Sequence, residues 1–192
     1  MSVGIRSAGM RRPKNTAVFI SGGGSTLQAL LELQHQFSIP LVVSNKKNIL
    51  GLLKAKRFGR CHLLLSKDCS FDLLTEKLKR MKIDQIFLGG YMKLLPATFV
   101  DEWRNKIFNI HPSLLPLYPG LKAAEKNYFD KKHPMGITVH VIDEKMDEGT
   151  LFLQQVSLKI DHTKLKTLAE ADILLRRTEQ HLLREFIYRR TL

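Results

Sequence analysis

Cysteine, tryptophan and long apolar runs are what this chain has least of. Its two cysteines, Cys61 and Cys69, cannot build a disulfide framework, and neither stands in a CxxC or Cys/His metal spacing. Both fit a reducing cytoplasm, which is the expected location. No apolar run approaches the ~18 to 20 residues that span a bilayer, so no membrane partner is expected. Aromatic residues are few and do not alternate with basic ones, which argues against a stacking platform for nucleic acid. Acids are also short: 18 Asp and Glu face 31 Lys and Arg, a net charge of +13.

Four of those charges, Arg6, Arg11, Arg12 and Lys14, lie in the acid-free stretch 1–15, so +9 remains for the rest. That stretch has no apolar core for a secretory signal, and Pro13 with its small neighbours makes a poor amphipathic targeting helix. It reads as a basic tail before a single domain over 16–192, a length that fills one core. The remaining charge is dispersed. It predicts at most nonspecific binding of nucleic acid and an attractive field for small anions.

Strand and helix patterns alternate. Strands are expected at Thr16–Ser21, Ile39–Ser44, from Cys61, at Gln85–Gly90, at Ile107–Ile110, at Thr138–Ile142 and at Leu151–Ile160. Helices are expected after Ser25, through Leu52, Leu53 and Phe58, after Ser70 with Leu73, Leu74, Leu78 and Met81 inward, near Thr98–Trp103 and Ala123–Phe129, and from Lys164 to Tyr188. Ser25 and Ser70 are the candidate caps. The Leu165, Leu168, Leu175 and Leu182 stripe reads as core packing. Continuous apolar strands interleaved with helices imply an α/β fold: one domain with a mainly parallel, Rossmann-like sheet, helices on both faces, and an antiparallel addition from the last strand pair. Ligands in such sheets bind beyond the carboxyl ends of the strands. The glycines after Ser21, the pair Gly89-Gly90, and Asn109 with His111 all fall there.

The loop "SGGGST" (Ser21–Thr26) joins a strand to a helix, where free backbone N–H groups can face an anion. It is not a P-loop, because no lysine follows. It is not a dinucleotide fingerprint either, because Leu27 stands where a third glycine belongs and no acid ends the second strand. A single-phosphate cradle from Gly24, Ser25 and Thr26 and a plain tight turn remain equally open on local sequence.

Two blocks carry the chemistry: "FNIHPSLLPLYPG" (Phe108–Gly120) and "GITVHVIDEKMDEGT" (Gly136–Thr150). Asn109 and His111, two apart at a strand end, can project into one crevice. Asp147 can reach that crevice only through the fold. An amide donor, an imidazole and a carboxylate suit acyl transfer: Asn109 for an oxyanion, a protonated His111 for a charge-assisted bond, and Asp147 to favour that protonation and shuttle a proton. No metal is required. His140, inside an apolar run, is an auxiliary candidate that a structural histidine explains equally well. His133, His162 and His181 are expected to face solvent without a role.

Together the loop and the two blocks resemble the phosphoribosylglycinamide formyltransferase family, folate-dependent enzymes of purine synthesis. The likeness runs from about Thr16 to the final helix and is most specific in "NIHPSLLPLYPG"; "VVSNKK", "LGGYMKLLPATFV" and "GITVHVIDEKMDEGTLFLQQ" add to it. The resemblance implies the formyltransferase fold, 10-formyltetrahydrofolate as co-substrate and the amine of glycinamide ribonucleotide as acceptor. It assigns catalysis to Asn109, His111 and Asp147, with His140 auxiliary. The phosphate would go to Gly24, Ser25 and Thr26, with Gly90 at the same edge and Glu179 on the ribose. Lys93, Leu95, Ile142 and Asp147 would border the pterin. Thr26 replaces an expected asparagine, Lys93 an arginine and Arg176 a glutamine, and Glu148 and Thr150 alter the stretch after the aspartate. Sister activities on a methionyl-tRNA or amino-sugar nucleotide acceptor, and a non-catalytic ribonucleotide- or RNA-binding module, are the alternatives.

Overall fold

The computed structural model describes residues 13–33, 38–65, 70–143, 147–157 and 164–191. Thirteen elements alternate along them: β1 (Asn15–Ile20), α1 (Ser25–Glu32), β2 (Ser38–Ser44), α2 (Leu50–Arg57), β3 (Cys61–Leu64), α3 (Phe71–Arg80), β4 (Gln85–Leu88), α4 (Ala97–Glu102), β5 (Ile107–His111), α5 (Ala123–Asp130), β6 (Gly136–Val141), β7 (Leu151–Val156) and α6 (Leu168–Thr191). The strands form one sheet in the order β3-β2-β1-β4-β5-β6-β7. The first five run parallel, and β6 and β7 each pair antiparallel with the strand before.

Strand residues alternate between faces, and this splits the apolar residues into two cores. Val18, Ile20, Val42, Phe87 and Phe108 face Leu27, Leu30 and Leu31 of α1 and Leu175, Leu182, Leu183 and Phe186 of α6. Ala17, Phe19, Leu41, Val43, Ile86 and Ile107 face Leu74 and Leu78 of α3 and Phe99, Val100 and Trp103 of α4. Both faces are covered, as the apolar strands require. The chain winds outward from β1 to β3, then crosses back over β1 to place β4. The sheet therefore reverses between β1 and β4, and a crevice opens beyond their carboxyl ends.

Several local expectations need correction. Ser25 is the first residue of α1, not its cap. Gly24 holds the cap position in the left-handed region, with no side-chain bond to the helix. Ser70 does cap α3, accepting from the Asp72 N–H at 3.1 Å, but Leu73 points outward and is 64% exposed because α3 presents a narrow stripe through Leu74 and Leu78. Strand β4 stops at Leu88; Gly89 and Gly90 form the bend after it, Gly90 at φ +75°. Leu165, Leu168, Leu175 and Leu182 pack into the first core as expected. Cys69, His162, residues 1–12 of the basic segment and the end of the predicted last strand lie outside the described residues.

Candidate active site

Antiparallel pairing of β5 with β6 sets Asn109 directly opposite His140, and His111 opposite Thr138. Opposed residues and residues two apart share a sheet face. The register alone thus gathers Asn109, His111 and His140, and Asn109 Nδ2 lies 3.2 Å from His140 Nε2. Asp147 arrives from the connection between β6 and β7. Its Oδ2 accepts the Gly120 N–H at 2.7 Å and lies 3.5 Å from His111 Nδ1; its Oδ1 lies 3.4 Å from His140 Nε2. The side chains are 6% (His111), 0% (His140) and 8% (Asp147) exposed, so water does little to screen them.

The connection is cinched where it leaves the sheet. Val141 N–H donates to Thr150 O at 2.9 Å. A Cβ on Gly149 would fall 1.7 Å from the Val141 carbonyl oxygen, so only glycine fits there. Asp147 itself is held at φ +57°, a region that aspartate tolerates better than most residues.

Asp147 is strongly biased to its anion. The hydrogen bond from His140, then the Gly120 N–H and the nearby His111, hold its carboxyl down at about 2 against the opposing effect of burial. His111 behaves otherwise than its sequence suggests. Burial lowers its pKa below the ordinary imidazole value and outweighs the Tyr118 carbonyl and Asp147, which both raise it. At neutral pH His111 is neutral, not the imidazolium expected from the carboxylate alone. Its Nε2–H donates to Tyr118 O at 2.9 Å, so its Nδ1 lone pair faces Asp147. That contact becomes a full ion pair only when a proton reaches Nδ1.

His140 has two ways to carry its proton. With a lone pair at Nε2 it accepts from Asn109, and a buried Nδ1–H is left with no acceptor among the described residues. With the proton at Nε2 it donates to Asp147, and only an Nδ1 lone pair goes unused. An unmatched buried donor is the rarer and costlier outcome. The second pattern is favoured, and it turns the Asn109 amide so that its oxygen meets His140 and its N–H groups face the crevice. His140 therefore belongs to this cluster.

At the β1–α1 turn, Cβ atoms built on Gly22 and Gly23 meet nothing within 4 Å, leaving the loop open to a ligand. Gly24 is different: φ is +65° and its Cβ would meet Gly51 Cα at 2.8 Å. Gly51 packs α2 onto the loop and donates its N–H to Gly22 O at 3.2 Å. Sequence reasoning missed Gly51; the signal was a glycine inside the otherwise helical "LGLLKAK". Ser25 is exposed and Thr26 is buried. The Thr26 hydroxyl donates to Glu179 Oε1 of α6. Burial raises the Glu179 pKa, against Thr26 and Arg176, which lower it. Gly89 leans on Thr26, its Cβ position 3.3 Å from Thr26 Cβ, so the ends of β1 and β4 meet as anticipated.

On the other side Lys93 is exposed. Leu95 and Ile142 are half-buried over the second core, joined by Tyr91. Ser21, also unanticipated, ties three strand ends together: its hydroxyl donates to Asn45 Oδ1 at 2.7 Å and accepts the Met92 N–H at 2.8 Å. His133 is not idle at the surface, because its Nδ1 lies 3.0 Å from the Tyr118 hydroxyl. His181 is exposed.

This arrangement has relatives. Residues 14–184 match the family model described as formyl transferase. The chain belongs to the formyl transferase family. A phosphoribosylglycinamide formyltransferase of Haemophilus influenzae is 37% identical over 151 residues, which cover 73% of this chain and 71% of that protein. The trifunctional purine biosynthetic protein adenosine-3 of Drosophila melanogaster is 42% identical over 156 residues, 75% of this chain; the chain spans only 12% of that protein's length. A crystal structure of phosphoribosylglycinamide formyltransferase from Brucella melitensis superposes with a TM-score of 0.81 at 31% identity, covering 92% of this chain and 96% of that one. Of the positions that depart from the family's expected residues, Lys93, Glu148, Thr150 and Arg176 are exposed and Thr26 is buried. Among the described residues, no helix is long and apolar enough to cross a membrane.

Proposed function

We propose that this chain transfers the formyl group of 10-formyltetrahydrofolate to the amine of glycinamide ribonucleotide, in de novo purine synthesis. The observation that carries this reading is the Asp147 carboxylate, within 3.5 Å of both His111 and His140, with Asn109 across the strand pair. The names of the relatives and the open glycine turn on the same sheet edge support it.

When bound, the folate supplies an electrophilic formyl carbon, and its carbonyl oxygen gains charge as the amine adds. Asn109, its oxygen turned toward His140, points an N–H toward that charge. His111 offers the Nδ1 lone pair for the amine's proton, directly or through one water. The imidazolium so formed lies 3.5 Å from Asp147 Oδ2, which stays ionised and stabilises it. The cation, held by Asp147, later returns its proton to the leaving nitrogen. His111 is thus charged during the reaction rather than before it. Lys93, Leu95, Ile142 and Asp147 border the pterin, half-buried apolar surface and a carboxylate suiting a flat heterocycle with N–H donors on one edge. Gly24, Ser25 and Thr26 receive the phosphate, with Gly90 beside them. Glu179 accepts from the ribose hydroxyls once they compete with Thr26.

The test is a formyl-transfer assay with glycinamide ribonucleotide, a methionyl-tRNA and an amino-sugar nucleotide as parallel acceptors. Turnover with the first alone is expected. Turnover only with either of the others overturns the acceptor assignment, and none with any overturns the enzyme reading.

A further inference from the structure

Tyr118 touches the candidate site with its backbone and a second polar cluster with its side chain. Its carbonyl accepts the His111 Nε2–H at 2.9 Å. Its hydroxyl donates to Asp130 Oδ2 at 2.5 Å, at the last residue of α5, and lies 3.0 Å from His133 Nδ1. The Tyr118 and His133 rings stack edge to face at 5.9 Å. Two residues on, the Gly120 N–H donates to Asp147 at 2.7 Å. The segment 118–120 therefore holds the imidazole at one end and the carboxylate at the other.

Tyr118 sits in a strained stretch of backbone. Its φ is +52°, a region bulky side chains avoid. The Ser113 hydroxyl secures the neighbouring Leu117 carbonyl at 2.6 Å but reaches Tyr118 O only at 3.5 Å. The firm anchor is the phenol. Burial and the facing Asp130 carboxylate push its pKa up to about 12, so it remains a donor throughout the working range. Asp130 is positioned in turn by Lys132 at 3.2 Å and by its place at the end of α5.

We propose that Tyr118 and Asp130 are positioning residues for His111: the Asp130–Tyr118 hydrogen bond fixes the strained backbone whose carbonyl selects the Nε2–H form of the imidazole and aims Nδ1 at Asp147. This deepens the reading of the site given above and rests on it for the catalytic consequence. Neither side chain touches the reacting groups.

The experiment follows the His111 imidazole by NMR, using its ring nitrogens, across a pH titration of the full chain and of Tyr118→Phe, Asp130→Ala and Asp130→Asn. The Tyr118 carbonyl raises the His111 pKa, so loosening it lowers the midpoint. The other groups His111 feels, Asp147, His140 and Lys126, are unchanged in all three variants. Tyr118→Phe and Asp130→Ala are expected to shift the titration to lower pH and weaken the Nε2–H signal. Asp130→Asn keeps an acceptor oxygen for the phenol and is expected to restore both. In formyl transfer, the first two should lower kcat about tenfold with little change in either KM, as misaimed groups do. A His111 titration unmoved by Tyr118→Phe or Asp130→Ala overturns the proposal, as does an Asp130→Asn variant as impaired as Asp130→Ala. The NMR arm needs no substrate. A shifted midpoint in a chain that transfers no formyl group would retain the linkage and reject the function.

Discussion

Replacing Asp147 by asparagine keeps the shape of the site and removes one charge, which makes its cost calculable. The carboxyl sits at about 2, nearly a hundredfold more acidic than an ordinary aspartate. At ~1.4 kcal/mol per tenfold, its surroundings favour the anion by roughly 2 to 3 kcal/mol. In Asp147→Asn the amide oxygen can keep the Gly120 N–H, now 2.7 Å from Oδ2. Its NH2 then faces His140 Nε2, so His140 must accept, and its proton moves to the buried Nδ1 with no partner. His111 loses the charge that lifts its pKa, and the imidazolium formed in the reaction loses its counter-ion. If that stabilisation is expressed fully in the transition state, turnover falls about 10²-fold, with KM for either substrate changed far less. Steady-state kinetics on the folded variant measure both. A kcat within a few-fold of wild type would refute the reasoning, because the ion pair formed at Nδ1 would then contribute nothing.

Three further outcomes are expected. Gly149→Ala forces a Cβ to 1.7 Å from the Val141 carbonyl, so melting should show a loss of about 1 to 3 kcal/mol, several degrees in Tm; an unchanged Tm would mean the cinch is not rigid. Gly23→Val places its side chain in open space and should raise KM for the ribonucleotide while sparing stability, whereas Gly24→Val, at positive φ against Gly51 Cα, should lower Tm as well; equal melting of the two would be contrary. Glu179 has a carboxyl raised by burial, so its contribution to stability is greatest below the unfolded pKa of ~4.3 and is lost as pH rises through the folded value. Glu179→Gln should therefore melt higher than wild type at pH ~7, with the gap closing toward pH ~4, while ribonucleotide binding weakens. A variant less stable at neutral pH would contradict this.

The opposite sign applies to Asp147. Its folded pKa is depressed, so its stabilisation is present above ~4 and lost as pH falls toward about 2. His111 also favours the fold when neutral, its contribution present above ~6.5 and lost as pH falls through its lower folded value. Both make acid destabilising, and Glu179 partly offsets them.

What could be read in the sequence was whatever depends on period and order. Continuous apolar runs such as "AVFI" and "VV" place the buried strands, and strand-helix alternation gives the parallel sheet and its carboxyl edge. The edge then predicts that Gly22–Gly24, Gly89–Gly90 and Asn109–His111 converge. Contacts across the fold were not legible in this way. Thr26 meeting Glu179 depends on α6 crossing the first core, 153 positions later in the chain. Gly51 reads as a poor helix residue until α2 is seen pressed on the glycine turn. The charge of His111 departs from the expectation for the same reason. Proximity to Asp147 could be inferred from the pairing of motifs, but burial, the larger effect, depends on how the loop 111–120 closes over the ring.

A neutral His111 changes the chemistry. A site that held His111 as an imidazolium beforehand would have spent the proton-accepting lone pair before the amine arrived. A buried, neutral imidazole beside a fixed anion keeps that lone pair and makes its protonation favourable only as charge develops elsewhere. The Asp147 anion is held by two groups that are not consumed, the Gly120 N–H and the His140 Nε2–H. His140 is therefore better understood as a fixed donor that keeps Asp147 ionised than as a second base. A His140→Asn change, which preserves a short donor, should retain more activity than His140→Leu, and the Asp147 carboxyl should rise toward its ordinary value in the latter. Carboxylate titration by NMR in the two variants reads that directly. A depressed Asp147 that persists in His140→Leu would show that the Gly120 N–H and His111 suffice without it.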